Sequence, residues 1–417
     1  MAGEKIKTIR DPLTHKLVDV SDVIEIIDTP QFQRLGRIKQ LGYANLVYRG
    51  ANHTRFEHCI GVYDRTREYC RKFGLGPEVA VAGLTHDVLH SAFSHMGEMA
   101  LNFYTKKSHD ERLDHLYAMK DRIGERYDFK KIVGIFERKD PAWRVIWPIL
   151  GTDKQDYICR DLNACGFPVV ETAGFVEYSC YDKKEGICFD VKQSEWLMGF
   201  MESWWKAHQE IYFRKKNILV KEQLVRALYH ALESGQLKEA ELLDSYDSHV
   251  EEILFRSEKQ VLEWIPSPKE LMRGIIENRG GYSTVISIKN EGRGKLERKA
   301  GKLIDVAELS PPDIKKLEQR LEGVRIIEKE QEISEALGYH VLICPIYTID
   351  RLIPKDVTLD LADEGRRSTL FAEFPKFKEF LLEKMSSHYA TRIAVPEGKR
   401  KDAFGKSRQV YGILGLS

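Results

Sequence analysis

The sequence predicts a mainly α-helical protein with a smaller C-terminal region that mixes helices and strands. Apolar residues recur at three- and four-residue spacing through most of residues 56–262, which is typical of amphipathic helices. Past Pro266 the pattern changes to β-branched runs separated by turn residues. The chain has 417 residues, 42% of them hydrophobic, so it can bury a sizeable core in roughly two or three domains and is not wholly disordered.

The first predicted domain, residues 1–276, is helical after a short strand or hairpin at 5–20. Thr29 and Pro30 mark a helix start, as an N-cap and a first-turn proline, and this helix is expected over 31–40. The other helices are expected at 56–73, 79–90, 111–139, 152–164, 193–233 and 236–262. Gly74 and Gly166 are expected to end the helices that precede them.

The second predicted domain, residues 277–417, is α+β. The β-branched run at 285–288 predicts a strand, and the segment 290–294 predicts an exposed turn. The remaining expected elements are a helix at 313–322, a β-rich run at 340–347, an amphipathic helix at 373–388 and an exposed basic tail at 397–408.

Composition excludes several classes of protein. No stretch approaches the ~20 apolar residues of a membrane span, and residues 1–11 are too polar for a secretory signal. The 7 cysteines, an odd number without a C-x-x-C pair, indicate reduced thiols. We therefore expect a cytoplasmic protein with no membrane partner. The formal charge, 65 − 64 = +1, disfavours a protein that coats nucleic acid.

The histidines point to a metal site. His86 and Asp87 lie in the apolar predicted helix 79–90, where a charged Asp is costly unless it is paired or binds a cation. His90 follows on the same helical face. A His and an adjacent Asp can share one metal ion but cannot complete its coordination, and His58 and Asp153 are the candidates for the rest.

A polar stripe on the predicted helix 152–164 indicates a cleft. Asp153, Tyr157 and Asp161 recur at four-residue spacing, an unusual set for a core. Two alternatives stay open on the residues alone. A histidine in a helix is most often a hydrogen-bonded structural residue, and the stripe is equally compatible with a solvated helix face.

At these residues the sequence resembles the HD phosphohydrolase superfamily, which is named for a His…His-Asp…Asp metal site. It is most similar to the deoxynucleoside triphosphate (dNTP) triphosphohydrolase branch, over about residues 5–165. The matching segments follow the family's order: Asp11-Pro12, 28–35 (DTPQFQRL), 38–42 (IKQLG), 55–58 (RFEH), 86–90 (HDVLH), 93–96 (FSHM) and 153–161 (DKQDYICRD). The resemblance implies a helical HD core.

Several roles follow from this resemblance. It places the metal ligands at His58, His86, Asp87 and Asp153, with Asp156 as a non-ligand carboxylate. This set would hold one divalent ion, with Mn, Fe, Zn, Ni and Mg not distinguished, and a second Mg bound with the nucleotide phosphates is left open. The reaction implied is hydrolysis of dNTPs by water attack on the α-phosphate, which gives a deoxynucleoside and inorganic triphosphate.

The resemblance also assigns catalytic and substrate-binding residues. It places a catalytic histidine at His90, supporting groups at His109 and Glu98, and phosphate-binding cations at Arg55 and Lys154. The family usually has Asp at the Glu98 position. Contacts to phosphates and sugar fall on Tyr157 and Asp161, the wall that meets the deoxyribose on Gln40 and Leu41, and the aromatic residue under the sugar on Tyr212.

Departures from the family concern regulation and phosphate binding. Lys7, Asp28 and Gln33 match positions that bind an activator nucleotide, but Gly36 replaces an arginine of that site. Trp204 replaces a phosphate-binding arginine, so Lys206 or Arg214 is expected to serve instead. The expected partners are dNTPs, an activator nucleotide and further copies of the chain, as a dimer, tetramer or hexamer.

Two other functions remain open. One is a metal-dependent nuclease or phosphodiesterase on the same fold, acting on single-stranded nucleic acid or another nucleotide. The basic segments 273–302 and 399–408 would then form its nucleic-acid surface, although such charge runs are more often solvated loops. The other is a regulatory nucleotide-binding protein without catalysis, which the presence of the ligand set together with His90 disfavours.

Overall fold

The computed structural model describes residues 6–105, 113–172, 174–278, 281–290, 304–345, 355–361, 364–388 and 390–416. The predicted mainly helical fold is confirmed. The helices of the first part are Ile24–Ile27, Pro30–Gln33, Arg55–Phe73, Pro77–Thr85, His95–Thr105, Asp114–Ala118, Lys120–Gly124, Phe129–Phe136, Trp143–Ile146, Thr152–Ala164, Gly174–Glu177, Ser194–Ala207, Lys215–Glu233, Glu239–Asp244, Asp247–Arg256 and Pro268–Asn278. The later helices are Pro311–Arg320, Arg325–Leu337, Leu370–Glu373, Pro375–His388, Arg400–Gly405 and Ser407–Leu414.

The N-terminal hairpin is present as β1 (Thr8–Arg10) and β2 (Leu17–Asp19), which pair antiparallel. The helix predicted over 31–40 is shorter than expected. Thr29 caps the helix Pro30–Gln33, a 3₁₀ turn continues it over Arg34–Arg37, and Ile38 is already extended. The Ile38 carbonyl accepts from Arg55 N–H and Lys39 bridges Thr54, so these backbone groups are taken by pairing outside the helix.

The helix Arg55–Phe73 forms as predicted. A capping box at Thr54 and Glu57 begins it, and Gly74 ends it in the left-handed conformation at φ 65°. The next helix, Pro77–Thr85, is shorter than the predicted 79–90, so His86, Asp87 and His90 lie beyond its end. A physical reason is visible nearby: the buried Arg34 guanidinium donates to the carbonyls of Val88 and His90, which fixes this segment as a turn.

Several predicted helices are divided. The region 111–139 holds three short helices, with 106–112 outside the described residues, and 193–233 is split by a π-helical turn at His208–Tyr212. The helix Thr152–Ala164 is as predicted, and Gly166 follows it at φ 81°. Sequence reasoning missed β3 (Ser179–Asp182) and β4 (Gly186–Asp190), and it also missed the helix Pro268–Asn278.

The C-terminal part contains helices and strands, as predicted. β5 (Tyr282–Asn290), β6 (Asp305–Leu309), β7 (Leu342–Cys344) and β10 (Thr391–Pro396) form a sheet in the order β6-β5-β10-β7. β8 (Thr358–Leu361) and β9 (Arg366–Thr369) join β3 and β4 in a second sheet, β3-β4-β8-β9. This second sheet pairs strands from both sides of the predicted 276/277 boundary, which itself stays a prediction.

Two predicted C-terminal helices lie close to their expected positions, whereas the helices Arg325–Leu337 and Ser407–Leu414 were not predicted. The helices expected at 313–322 and 373–388 are Pro311–Arg320 and Pro375–His388. Beyond residue 290, the predicted turn lies outside the described residues. Most residues of the basic tail 397–408 are exposed, as predicted. The tail is also folded, since a 3₁₀ turn at Glu397–Lys399 leads into the helix Arg400–Gly405, in which Ala403 is buried. Among the described helices, none has the length and apolar character needed to cross a membrane.

Candidate metal centre and active-site cleft

Four side chains from three separate segments bring their donor atoms together. His58 Nε2 lies 3.1 Å from His86 Nε2 and 3.2 Å from Asp153 Oδ1. His86 Nε2 lies 3.2 Å from Asp87 Oδ1. Atoms that bind one ion at about 2.1 Å lie roughly 3 Å from their neighbours in the coordination shell. His58, His86 and Asp153 therefore have the spacing that a single metal ion requires, since their donor atoms all lie within 4.8 Å of one another. Asp87 approaches the two histidines through different oxygens, at 3.2 Å from His86 and 3.7 Å from His58, and its role as a fourth ligand stays a prediction.

The hydrogen bonds of the two histidines direct their Nε2 atoms to this point. His58 Nδ1 lies 2.8 Å from Asp156 Oδ2, and His86 Nδ1 lies 2.8 Å from the Gly83 carbonyl. Both partners only accept, so Nδ1 carries the proton of each neutral ring. With both rings neutral, two Nε2 lone pairs face two carboxylates, and a cation among them would offset the repulsion. Although burial lowers it, Asp87 and then Asp153 raise the pKa of His86 well above its usual range, so a proton competes with a metal ion for this point. The residues present thus fit a divalent metal.

Asp87 is held by cationic and histidine neighbours. Its Oδ2 accepts a 2.6 Å hydrogen bond from Arg55, and its Oδ1 lies 3.1 Å from His90 Nε2. Burial raises the pKa of the Asp87 carboxyl, but the charges of Arg55, His86 and His90 outweigh that effect and hold the pKa well below its usual range. Asp87 is therefore an anionic donor at neutral pH.

A buried network supports His58 from behind. Arg160 binds both oxygens of Asp156, at 2.8 Å and 2.7 Å, and reaches Asp11 at 2.9 Å. Although burial opposes it, Arg160 and then His58 lower the pKa of Asp156 to about 2. Asp156 points at the outer nitrogen of His58 and not at the donor cluster, which agrees with its predicted non-ligand position.

A second histidine–carboxylate cluster lies beside the donor cluster. Glu98 binds His90 Nδ1 through Oε1 and lies 3.0 Å from His95 Nδ1 through Oε2. The Glu98 carboxyl is 5% exposed, and His90 and His95 hold its pKa well below its usual range despite its burial. Glu98 therefore orients His90, whose other ring nitrogen faces Asp87. His109, the other predicted supporting group, lies outside the described residues.

The loop between His90 and His95 has an unusual backbone. Phe93 and Ser94 are both left-handed, at φ 60° and 56°, a conformation that costs free energy for residues other than glycine. Ser94 Oγ accepts from Arg55 and donates to the Lys39 carbonyl, both at 2.9 Å. Asp247 accepts from the backbone N–H of Phe93, and sequence reasoning did not identify it.

These groups open into a cleft of about 740 Å³. Its walls include most of the predicted site residues: Gln40, Leu41, Arg55, His86, Asp87, His90, Asp153, Lys154, Tyr157, Asp161 and Tyr212. His58 is buried behind the wall and Glu98 supports His90 from outside it. Lys154 Nζ donates to the Trp147 carbonyl at 2.9 Å. Tyr212 donates to Asp161 at 2.5 Å, and Asp161 also meets His53 at 2.8 Å.

A smaller and mainly apolar side pocket of about 220 Å³ adjoins this cleft. The two share Gln40, Leu41, His95 and Tyr212. Asn217 lines the side pocket and donates to the Ile211 carbonyl through Nδ2. Among the described residues, its buried Oδ1 has no hydrogen-bond partner. Gln40 Oε1, which lines both pockets, is likewise without a partner among the described residues. The cleft thus continues into a mainly apolar recess with at least two open acceptors.

Other sequence-predicted residues lie elsewhere. Lys7, Asp28 and Gln33 are exposed, and none of them lines the cleft. Trp204 is buried and stacks on His208, with ring centroids 4.1 Å apart. The expected substitutes do not reach the cleft, since Lys206 lies over the Phe167 ring and Arg214 donates to Tyr48. The lining cation that sequence reasoning missed is Arg138.

Comparison with known proteins agrees with this geometry. Residues 55–140 match the HD domain family. The chain is 43% identical over 107 residues to human deoxynucleoside triphosphate triphosphohydrolase, a match that covers 22% of this chain and 17% of that protein. It is 31% identical over 157 residues to an uncharacterised protein of Methanocaldococcus jannaschii, a match that covers 37% of this chain and 33% of that protein. The chain therefore spans a third or less of the length of these two curated relatives.

Two solved structures share the fold over nearly the whole chain. A hypothetical protein from Aquifex aeolicus superposes with a TM-score of 0.69 at 22% identity, covering 97% of this chain and 100% of that one. A phosphohydrolase from Bacteroides thetaiotaomicron superposes with a TM-score of 0.67 at 19% identity, covering 94% and 100%. At these identities the likeness concerns the fold alone.

Proposed function

We propose that the chain is an HD-domain phosphohydrolase, a metal-dependent enzyme that hydrolyses dNTPs to a deoxynucleoside and inorganic triphosphate. The observation that carries the proposal is the convergence of His58, His86, Asp87 and Asp153 beside a cleft lined by cations. The predicted ligands leave coordination positions for water and phosphate oxygens, as a catalytic metal needs. When bound, the metal would supply Lewis-acid chemistry at the α-phosphate.

The chain's own residues suit the remaining steps. Arg55 and Lys154 would bind phosphate oxygens, and their charge offsets that of a triphosphate. His90, oriented by Glu98, would carry a proton to the O5′ atom of the departing deoxynucleoside. In this reaction the water oxygen bonds to the α-phosphorus, and the bond from that phosphorus to O5′ breaks. The deoxynucleoside is released, and the α-phosphorus stays in the inorganic triphosphate.

The sugar and base would lie toward the side pocket. Tyr212, held by Asp161, presents an aromatic ring at the junction of the cleft and the side pocket, which Gln40 and Leu41 also line. A deoxyribose packs against such a ring, and the apolar recess beyond it suits a base. Among the described residues, the cleft lining falls between residues 40 and 212, so the described parts of the two basic segments, 273–278, 281–290 and 399–408, do not contribute to it. This favours a nucleotide over a nucleic-acid strand.

A substrate panel tests the proposal. We would incubate the protein with each dNTP, each NTP, single-stranded DNA and a cyclic dinucleotide, in Mn²⁺ or Mg²⁺, and separate the products by chromatography. Triphosphate and deoxynucleoside from dNTPs are expected. Shortened DNA with intact dNTPs would instead establish the nuclease alternative. Asp87→Ala is the matched control, since loss of an anionic ligand should remove both metal and activity.

Regulation and assembly belong to the same proposal. Lys7, Asp28 and Gln33 are exposed on the N-terminal part of the chain, where an activator nucleotide could reach them. The surroundings of Gly36 are open, because among the described residues the atom that an added Cβ would meet within 4 Å is Phe56 Cβ, at 3.9 Å. We expect a homo-oligomer. Light scattering should show that added dNTP increases the mass of this oligomer or makes it dissociate less on dilution.

A further inference from the structure

We propose that Arg138 binds the triphosphate of the substrate beyond its α-phosphate, and this rests on the proposed function. Arg138 lies in the wall of the cleft, although it comes from a segment that neither the motifs nor their spacing single out. The guanidinium is exposed, so it can meet a ligand that enters the cleft. Guanidinium groups bind phosphate through paired hydrogen bonds.

The other cations of the cleft are already committed near the metal centre. Arg55 donates to Asp87 and to Ser94, and Lys154 follows the ligand Asp153 in sequence and donates to the Trp147 carbonyl. These two are therefore placed for the phosphate that is attacked. Beyond its α-phosphate, a triphosphate carries about three further negative charges. Besides Arg55 and Lys154, Arg138 is the one arginine or lysine among the described residues that line the cleft.

The pairing of Arg138 leaves its charge available. Its guanidinium lies over the Trp143 ring, with 5.4 Å between Cζ and the ring centroid. In the part of the chain that the structure describes, no carboxylate is within ion-pair distance of it. The neighbouring Glu137 also lines the cleft, but its carboxylate is paired with Lys139 at 2.7 Å. An incoming anion would thus meet a guanidinium that packs on an aromatic ring and is not paired with a described carboxylate.

The backbone at Arg138 is unusual. It has φ 60° directly after the helix Phe129–Phe136 and its capping residue Glu137. The N–H of Lys139 returns to the Gly134 carbonyl at 2.8 Å, which closes the helix end. Glycine is the residue that this left-handed position favours, because it has no Cβ to clash. The residue at this position is an arginine although the backbone conformation favours glycine. The side chain of Arg138 places a cation in the cleft wall.

This conformation supplies a sharp test through Arg138→Gly. Glycine suits the backbone, so the melting temperature should equal or exceed that of the wild type. Binding of inorganic triphosphate, measured by calorimetry in Mn²⁺, should weaken by about tenfold or more, because a charge-assisted contact is lost. The KM for dNTP should rise by a similar factor, while the affinity for deoxynucleoside stays unchanged. Arg138→Gln repeats the test with a polar side chain that carries no charge.

The control is Arg122→Ala, which removes an exposed arginine that does not line the cleft. If Arg138→Gly and Arg138→Gln bind triphosphate as the wild type does, the inference is overturned, and dNTP hydrolysis by the wild type would still uphold the proposed function. If the wild type hydrolyses no dNTP yet its triphosphate binding depends on Arg138, the proposed function fails and the triphosphate site stands. A wild type that binds no triphosphate overturns the inference about Arg138, while the substrate panel still decides the proposed function.

Discussion

The Asp247 carboxylate accepts a 2.7 Å hydrogen bond from the backbone N–H of Phe93, across 154 residues of sequence. Its second oxygen accepts from the N–H of Lys39 at 2.9 Å. One buried side chain thus ties the loop that carries His90 and His95 to the loop that carries Gln40. Since Phe93 and Ser94 are left-handed, the loop holds a conformation that it would not favour alone.

We predict that Asp247→Ala slows turnover by about tenfold to a hundredfold, because Arg55 and His90 lose the fixed loop that positions them. Metal content should stay at the wild-type level, since the change leaves the four donor atoms in place. Asp247→Asn, which keeps one oxygen acceptor, should lose less. The measurements are kcat, KM and metal per chain.

Glu252→Gln is the control for Asp247, because it lies exposed on the same helix, Asp247–Arg256. Loss of metal in Asp247→Ala would show that the residue supports the ligands themselves and not the loop. Unchanged kcat in a folded Asp247→Ala protein would remove its positioning role.

A second prediction concerns the support of His58. Asp156→Asn replaces the carboxylate that holds His58 Nδ1 and removes one of the two anionic partners of Arg160, leaving Asp11 as the other. Outer partners of this kind fix the orientation and basicity of a metal-binding histidine, and their loss typically costs 10- to 100-fold in metal affinity. We expect a weakening of about that size in competition with a chelating dye.

Asp64→Asn is the control for Asp156, since Asp64 lies on the helix Arg55–Phe73 and pairs with Arg67 at 3.0 Å, away from the donor atoms. Equal metal affinity in Asp156→Asn and the wild type would contradict the support role. Complete loss of metal would instead place Asp156 among the ligands themselves.

Local patterns are the part of this site that the sequence could predict. The helices Arg55–Phe73 and Thr152–Ala164 can be predicted from the spacing of their apolar residues and from residues at their own ends. These two helices position His58, Asp153 and Tyr157. The convergence of these residues with His86 could be expected only from the resemblance, because periodicity places each face but not its partner. The structure then brings the donor atoms to within 3.1–3.6 Å of one another.

The missed features depend on contacts distant in sequence. The helix that was expected to carry His86 and Asp87 ends at Thr85, where Arg34 takes the later carbonyls. No periodic pattern encodes that competition. Arg138 has no motif around it and enters the cleft only because of how one helix ends. The same limit explains why Lys206 and Arg214, which are near Trp204 in sequence, were expected to bind phosphate and do not line the cleft.

The last prediction concerns His230, which is 2% exposed on the long helix Lys215–Glu233. Among the described residues, neither of its ring nitrogens has a hydrogen-bond partner. Burial and then the nearby Arg226 lower the pKa of His230 to about 4. Arg226 is itself paired with Glu330 at 2.7 Å, and His340 also faces this region. His230 is therefore neutral in the folded protein near pH 7.

An unfolded histidine has a pKa of about 6.5, so the unfolded state binds the proton first as the pH falls. The stabilising contribution of neutral His230 is present above about pH 6.5 and is lost as the pH falls toward 4. Between pH 7.5 and pH 5, this one residue should reduce the free energy of unfolding by about 2 kcal/mol. His230→Leu removes the titrating ring. Between the same two pH values, the free energy of unfolding of this variant should therefore decrease by about 2 kcal/mol less than that of the wild type. Denaturant midpoints at the two pH values measure the difference, with the exposed His249→Gln as control. A His230→Leu protein with the wild-type pH dependence would show that His230 already carries its proton inside the fold.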